Sequence, residues 1–313
     1  MSKTLRAKPN LGVVGVPTNS SGKADGVAKA PTAIRHAGLV HALRRYCKVH
    51  GEGDVSFASS TNDRDPYSGI IGYDAFTSMI HAVYKGVSNS INHERFPLVI
   101  GGDCPILLGC LAALKEIYES RVGLFFIDGH EDSYPPHKSP TGEAADMELG
   151  FALGINCEHL PSNIVNGMQV PLVDARNVCM LGPRDKKYLQ KDGIKSVSGK
   201  VIKAFYDDMD IRKSKDIEGL INRIIKHLTS KREVDKLWFH VDLDVLSTRS
   251  MRAVDYKQPG GINWNQLKKI TKAIISSGYT ASMNITIYNP DMDSDGRIAK
   301  HIVSYLEYTA SFL

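Results

Sequence analysis

The sequence predicts an α/β fold of three layers, αβα, around a mainly parallel central sheet. Two observations carry that prediction: strand-sized apolar runs alternate with amphipathic segments along the chain, and the runs are bounded by Gly, Pro or Asp. A third sets its scale. With 313 residues and 42% hydrophobic content the chain can bury a sizeable core. One domain spanning 1–313 is preferred, because no internal repeat, low-complexity tract or linker interrupts the alternation.

The first run, "LGVVGVP" (11–17), is followed by the helical pattern "PTAIRHAGLVHALRRY" (31–46). A second helical segment, "YDAFTSMIHAVYKGVSNSI" (73–91), leads to the strand "FPLVIGG" (96–102); "PILLGCLAALKEIYES" (105–120) then leads to "VGLFFID" (122–128). Residues 133–177, rich in Pro, Gly, Ser and Asn, have the weakest pattern and read as loops over the sheet. The strand "VCMLG" (178–182) comes next, then the helix "KDIEGLINRIIKHLTSK" (215–231) and the long run "KLWFHVDLDVL" (236–246). The helix "NWNQLKKITKAIISS" (263–277), the strand "ASMNITIYN" (281–289) and the helix "GRIAKHIVSYLEYTASFL" (296–313) complete the series. The strands are apolar on both faces, as strands covered by helices must be, whereas the helices carry apolar residues at intervals of three and four.

Composition excludes several function classes. The net charge of +5 arises from 39 basic and 34 acidic residues spread along the chain, and clusters such as "RDKKYLQK" (184–191) read as solvated helix faces. With no nucleic-acid motif beside them, no nucleic-acid partner is expected. Apolar stretches are strand-sized and none of 15 residues follows the basic start "MSKTLRAK", so no membrane partner is expected either. Five cysteines (47, 104, 110, 157, 179) are an odd number without CxxC spacing, which points to a reduced, cytoplasmic setting.

The polar residues concentrate at strand ends. "VIGGDC" ends in Asp103 and Cys104, "FFIDGHED" in Asp128, His130 and Asp132, and "FHVDLDVL" contains Asp242 and Asp244. Residues at i, i+2 and i+4 of a strand share a face, and open parallel sheets bind ligands beyond the carboxyl ends of their strands. The four carboxylates of Asp128, Asp132, Asp242 and Asp244 and the histidine His130 are therefore expected to converge on one rim. Each motif alone has an ordinary reading as a turn, a cap or a hydrogen-bonded histidine. Together the unpaired carboxylates would repel one another and be costly to desolvate, which divalent cations relieve.

"GGDC", "DGHED" and "HVDLDVL" resemble the three signature segments of the ureohydrolases: arginase, agmatinase, formimidoylglutamase and relatives. The resemblance runs in order from "GVP" near residue 15 through "GVAKAPTAIR" and "GPRD" to "YNPDMDSDG". It implies a three-layer αβα fold, a homo-oligomer (trimer or hexamer), and two divalent ions, most often manganese. Carried over by position, Asp128 and Asp242 bridge both ions, Cys104 and Asp132 serve the first, and His130 and Asp244 serve the second. The implied reaction is hydrolysis of a linear C–N bond in a guanidino or amidino compound, releasing a urea-type product or formamide and an amine, with Asp132 hydrogen-bonded to the attacking water.

The departures from the family pattern matter as much. Cys104 stands where the relatives have histidine; a thiolate there would favour zinc or iron over manganese, while the other reading is an inert packing cysteine. Ile287 stands where arginase-like members have a glutamate that binds the guanidinium. In "SPTGEAADMEL", Thr141 and Gly142 match the substrate-recognition loop, Glu143 and Asp146 are candidate substrate contacts, and His137 is a candidate proton shuttle. "DLDVLS" lacks the usual Asp-Pro after the last ligand. Two function classes follow: an amidinohydrolase of a modified guanidine, such as an N-hydroxyguanidino or formimidoyl acid, or a catalytically silent member that binds a ligand or supports an oligomer. A deacetylase on the same architecture is disfavoured, since the sequence has no paired-histidine motif.

Overall fold

The structure, a computed structural model, describes residues 7–119, 121–160, 162–165, 167–230 and 234–313. Its sheet has eight strands: β1 (Asn10–Val16), β2 (Lys48–Asp54), β3 (Phe96–Gly101), β4 (Val122–Ile127), β5 (Val178–Leu181), β6 (Ala204–Tyr206), β7 (Lys236–Asp242) and β8 (Thr280–Thr286). Their order is β2-β1-β3-β8-β7-β4-β5-β6, and every pairing is parallel. This is the αβα architecture expected from the sequence. The two strands that periodicity missed, β2 and β6, are the sheet's edges. Neither has a fully buried face, so neither carries the apolar run that marks the other six.

Strand alternation sorts side chains into two cores. Phe125 and Ile127 of β4, with Leu237, Phe239 and Val241 of β7, pack against helices Ala30–His36, Leu39–Leu43, Ile217–Thr229, Trp264–Ile275 and Arg297–Ala310. Leu124, Phe126 and Trp238 face the other way, toward Tyr73–Asn92, Ile106–Tyr118 and the short helix Glu148–Ala152. Helix starts follow local chemistry. Asn263 and Gln266 form a reciprocal capping box, and Asp216 accepts from the Gly219 amide. None of the described helices is long and apolar enough to cross a membrane.

Several sequence boundaries need correction. The helical pattern at 31–46 breaks into two helices because Gly38 adopts φ +100°, a left-handed conformation that glycine takes without penalty. The 133–177 segment is not all loop: it includes helices Glu148–Ala152 and Ser162–Val165 and several 3-10 turns. Most important, β4 stops at Ile127 and β7 at Asp242, with a 3-10 turn over Leu243–Val245. The charged residues of "DGHED" and "DLD" thus do not project at strand period. They converge because the chain turns sharply at each strand end.

Sheet register determines which motifs meet. Phe126 is opposite His240, His240 opposite Asn284, and Asp242 opposite Thr286. Asp128, one residue beyond β4, follows Phe126 by two positions as Asp242 follows His240. The two aspartates therefore lie side by side, with the end of β3 one strand further on, past β8.

Candidate metal centre

The same small device ends both β4 and β7. Asp128 Oδ1 accepts a hydrogen bond from the His130 amide at 2.7 Å, and Asp242 Oδ1 accepts one from the Asp244 amide at 2.6 Å. Each aspartate caps its own turn and keeps one oxygen for other use. Gly129 lets the two turns touch: its amide donates to Asp244 Oδ1 at 3.0 Å, and a Cβ there would lie 2.7 Å from that oxygen. After β3, Gly102 passes so near Thr18 that an added Cβ would fall 1.8 Å from its carbonyl oxygen. That tight turn brings Cys104 to the start of the helix Ile106–Tyr118, where its Sγ donates to Asp242 Oδ2 at 2.9 Å and lies 3.0 Å from Thr286 Oγ1.

The result is a buried, acidic cluster. Asp128, Asp132, Asp242, Asp244, Glu148, Cys104 and His240 are all buried. Donor atoms group within 4.8 Å of one another in three overlapping sets: Cys104–Asp128–Glu148–His240, Asp128–His130–Asp132 and Asp128–Asp242–Asp244. His130 Nδ1 lies 3.0 Å from Asp244 Oδ2 and 3.6 Å from Asp128 Oδ1.

Proton affinities follow from this crowding. Burial alone would lower the pKa of His130, but the carboxylates of Asp244 and Asp128 outweigh it and raise the value well above the usual. Burial, then repulsion from Asp128 and Glu148, pushes Asp132 well up. Burial followed by Asp244 and Asp128 does the same to Asp242. Burial works against ionised Asp128, but the neighbouring His130 and His240 rings overcome it and hold this carboxyl low. The Cys104 thiol is raised by burial and then by Asp242. So many carboxyls cannot all ionise in an enclosed space without cations. The orphaned atoms agree. Asp128 Oδ2 and both Glu148 oxygens are buried, with no hydrogen-bond partner among the described residues. Oxygen-rich donors with an imidazole beside them fit divalent cations.

A cleft of about 700 Å³ opens over the cluster. His130, Asp132, Asp242 and Asp244 line its floor, while Cys104 and Asp128 are not among the lining residues. Glu143 and Asp146 line it as well. Glu143 Oε2 accepts from the Tyr256 hydroxyl at 3.0 Å, and Asp146 Oδ2 accepts from Ser139 and Thr141 at 2.6 and 2.5 Å. Ile287 also lines the cleft, at φ +69°. His137, by contrast, sits on the exposed turn Pro136–Lys138 and is not among the lining residues.

Three buried residues of the site escaped the sequence reading. His240 had a signal, since it precedes Asp242 by two positions on one strand face. Asp185 follows β5 in "GPRD" and lines the cleft with an unpartnered Oδ1, and burial lifts its carboxyl to about 6. Glu148 comes from the weakly patterned 133–177 segment, where no periodicity pointed inward.

Comparison with known proteins matches this geometry. The arginase-family model matches residues 9–311. Arginase from Staphylococcus aureus (strain MRSA252) is 28% identical over 306 residues, covering 96% of each chain. Among solved structures, native arginase from Bacillus caldovelox superimposes with a TM-score of 0.81 at 24% identity, over 97% of this chain and 98% of that one. Formimidoylglutamase from Bacillus subtilis gives 0.69 at 17% identity, over 100% and 89%. The match spans all three motif-bearing strand ends and the sheet that brings them together: the chain belongs to the arginase family.

Proposed function

We propose that this ureohydrolase-type amidinohydrolase holds two divalent ions and cleaves the linear C–N bond of a modified guanidine or amidine, an N-hydroxyguanidino or formimidoyl acid, rather than plain arginine. The observation that carries the substrate reading is Ile287, an apolar side chain in the cleft where arginase-like relatives have the guanidinium-binding glutamate. Arginase and formimidoylglutamase both occur among the similar proteins.

Asp128 and Asp242 would hold both ions, Asp132 would serve the first, where Cys104 stands at the family's histidine position, and His130 and Asp244 would serve the second. Manganese is the ion expected from the family, with zinc or iron at the first site if Cys104 binds as a thiolate. Two divalent ions supply Lewis acidity that makes a water nucleophilic at neutral pH. The chain's own residues do the rest. Asp132, buried at the cleft floor, would accept a hydrogen bond from that water. Glu143, Asp146 and Asp185 would hold the cationic end of the substrate, and the apolar surface of Ile287 would contact the substituted guanidine without a competing charge. Support for His137 as a proton shuttle is lacking, because it lies away from the cleft lining.

A single domain through residues 1–313, a trimeric or hexameric assembly and a cytoplasmic setting belong to the same reading. One sheet contains all eight strands, and all five cysteines are free. Light scattering on the purified protein tests the assembly. Incubation with arginine, N-hydroxyarginine and formimidoylglutamate, assayed for urea, N-hydroxyurea and formamide, tests the substrate. Faster turnover of a modified compound is expected. Arginine turned over at least as fast would refute the reading, and no product from any of them would favour a catalytically silent member.

A further inference from the structure

The innermost corner of the cluster lies beneath the cleft. Cys104, Asp128, Glu148 and His240 meet there, each fully buried, with donor atoms within 4.8 Å of one another. Cys104 Sγ is already engaged as a donor to Asp242 Oδ2. Among the described residues, both Glu148 oxygens, Asp128 Oδ2 and His240 Nε2 lack a hydrogen-bond partner. An isolated buried carboxylate is strongly unfavourable unless a cation or proton meets it.

Which of these atoms can face a cation is decided by hydrogen-bond direction. The Trp238 indole Nε1–H can only donate, and Asn284 Oδ1 accepts it at 2.6 Å. The amide nitrogen of Asn284 therefore faces His240 Nδ1, at 2.7 Å, and that ring nitrogen must accept. A neutral ring held this way carries its hydrogen on Nε2, the atom aimed into the cluster, and has no lone pair there for a metal. His240, stacked on Phe126 at 4.7 Å between ring centroids, is a fixed donor 3.9 Å from Asp128 Oδ2. It cannot replace an imidazole ligand. Glu148 can, because its buried side chain lies against the Asp132 carboxyl and near Asp128, and no amide, hydroxyl or cationic donor among the described residues holds its oxygens.

We propose that Glu148 is a ligand of the first ion, supplying the donor lost when cysteine took the family's histidine position. The proposal rests on the two-ion reading above. It gives the first site Asp128, Asp132, Glu148 and Asp242, an all-oxygen set suited to manganese, with Cys104 remaining a thiol bonded to Asp242.

The test is manganese titration, followed by calorimetry and electron paramagnetic resonance, on protein purified without chelators or affinity metals. Wild type should bind two ions and Cys104→Ser should still bind two. Glu148→Gln, nearly isosteric, should bind one tightly, with the other weakened roughly tenfold or more. The double variant Cys104→His/Glu148→Gln should recover the second ion, since imidazole restores a donor from the other side; a purely structural role for Glu148 would not be rescued this way. Two ions in wild type and an unchanged pair in Glu148→Gln would overturn this inference alone, as would a double variant that still binds only one. A wild type that binds no manganese would overturn the two-ion reading and this inference with it.

Discussion

Asp185 shows how a single buried carboxyl marks the site. It is 4% exposed, with one oxygen bonded to the Glu131 amide at 3.0 Å and the other unpartnered toward the cleft. Burial raises its pKa from 3.8 to about 6, so the folded protein binds this proton more tightly than the unfolded chain does. Its contribution to stability is therefore full below pH 3.8 and declines as pH rises through about 6. Asp185→Asn, which keeps the acceptor, should be close to wild type in stability near pH 4 and more stable at pH 7.5 by on the order of 1–3 kcal/mol. Denaturant melts at the two pH values check this; a gap that does not widen with pH would contradict it. The same variant should raise KM for a cationic substrate. Ile287 makes the complementary point. A β-branched residue at φ +69° costs about 1–2 kcal/mol of backbone strain, and its amide is held by the Gly102 carbonyl at 2.7 Å. Ile287→Glu should raise kcat/KM for arginine, by roughly tenfold or more, relative to the modified guanidines; steady-state kinetics with both substrates decides it.

At the scale of elements, the strand ends matter more than the strands. Asp128 and Asp242 each cap a turn of their own backbone, and Gly129 is the contact point between those turns. Gly129→Ala should weaken the second ion's site by displacing Asp244, while the melting temperature of the metal-free protein changes little, because the crowding atoms Arg184 Nη1 and Asp244 Oδ1 belong to side chains. Manganese affinity and a thermal melt on the same preparation test both halves of that statement. The turns also explain what periodicity could and could not read. Six interior strands are apolar on both faces and were legible. The edge strands β2 and β6 were not, since half-exposed edges need no apolar run. Asp and His at spacing two in "DGHED" and "DLD" announced a polar rim correctly, yet through an assumed strand geometry that the protein does not use: β4 ends at Ile127, and Asp132 adopts φ +39°.

At the scale of the whole molecule, the sheet holds together carboxylates that would otherwise be separately hydrated, so metal and stability should be linked. Each ion present at about 100 times its Kd adds about 2.7 kcal/mol to the folded state. Removing ions with chelator should lower the melting temperature, and adding manganese back should restore it. Asp128→Asn or Asp242→Asn should abolish binding of both ions and remove that metal-dependent increment; metal analysis showing two ions in either variant would overturn their bridging role.

The sequence by itself determined the layered α/β class, the order of its interior strands and helices, and the residue types gathered at the strand ends, because these depend on local periodicity and local turn chemistry. It also pointed to the cysteine and isoleucine that depart from the family pattern. The tertiary structure decided what surrounds those residues. β7 and β8 fill the middle of the sheet between β3 and β4, which brings Cys104 against Asp242 across a gap of 138 residues in the chain. The register of β7 on β8 puts Asn284 against His240 and thereby fixes which ring nitrogen faces the cluster. Glu148 arrives from a segment without periodicity. Such neighbours are set by long-range strand pairing and helix docking, whose energies depend on the packed whole and leave no mark at a fixed spacing in the chain.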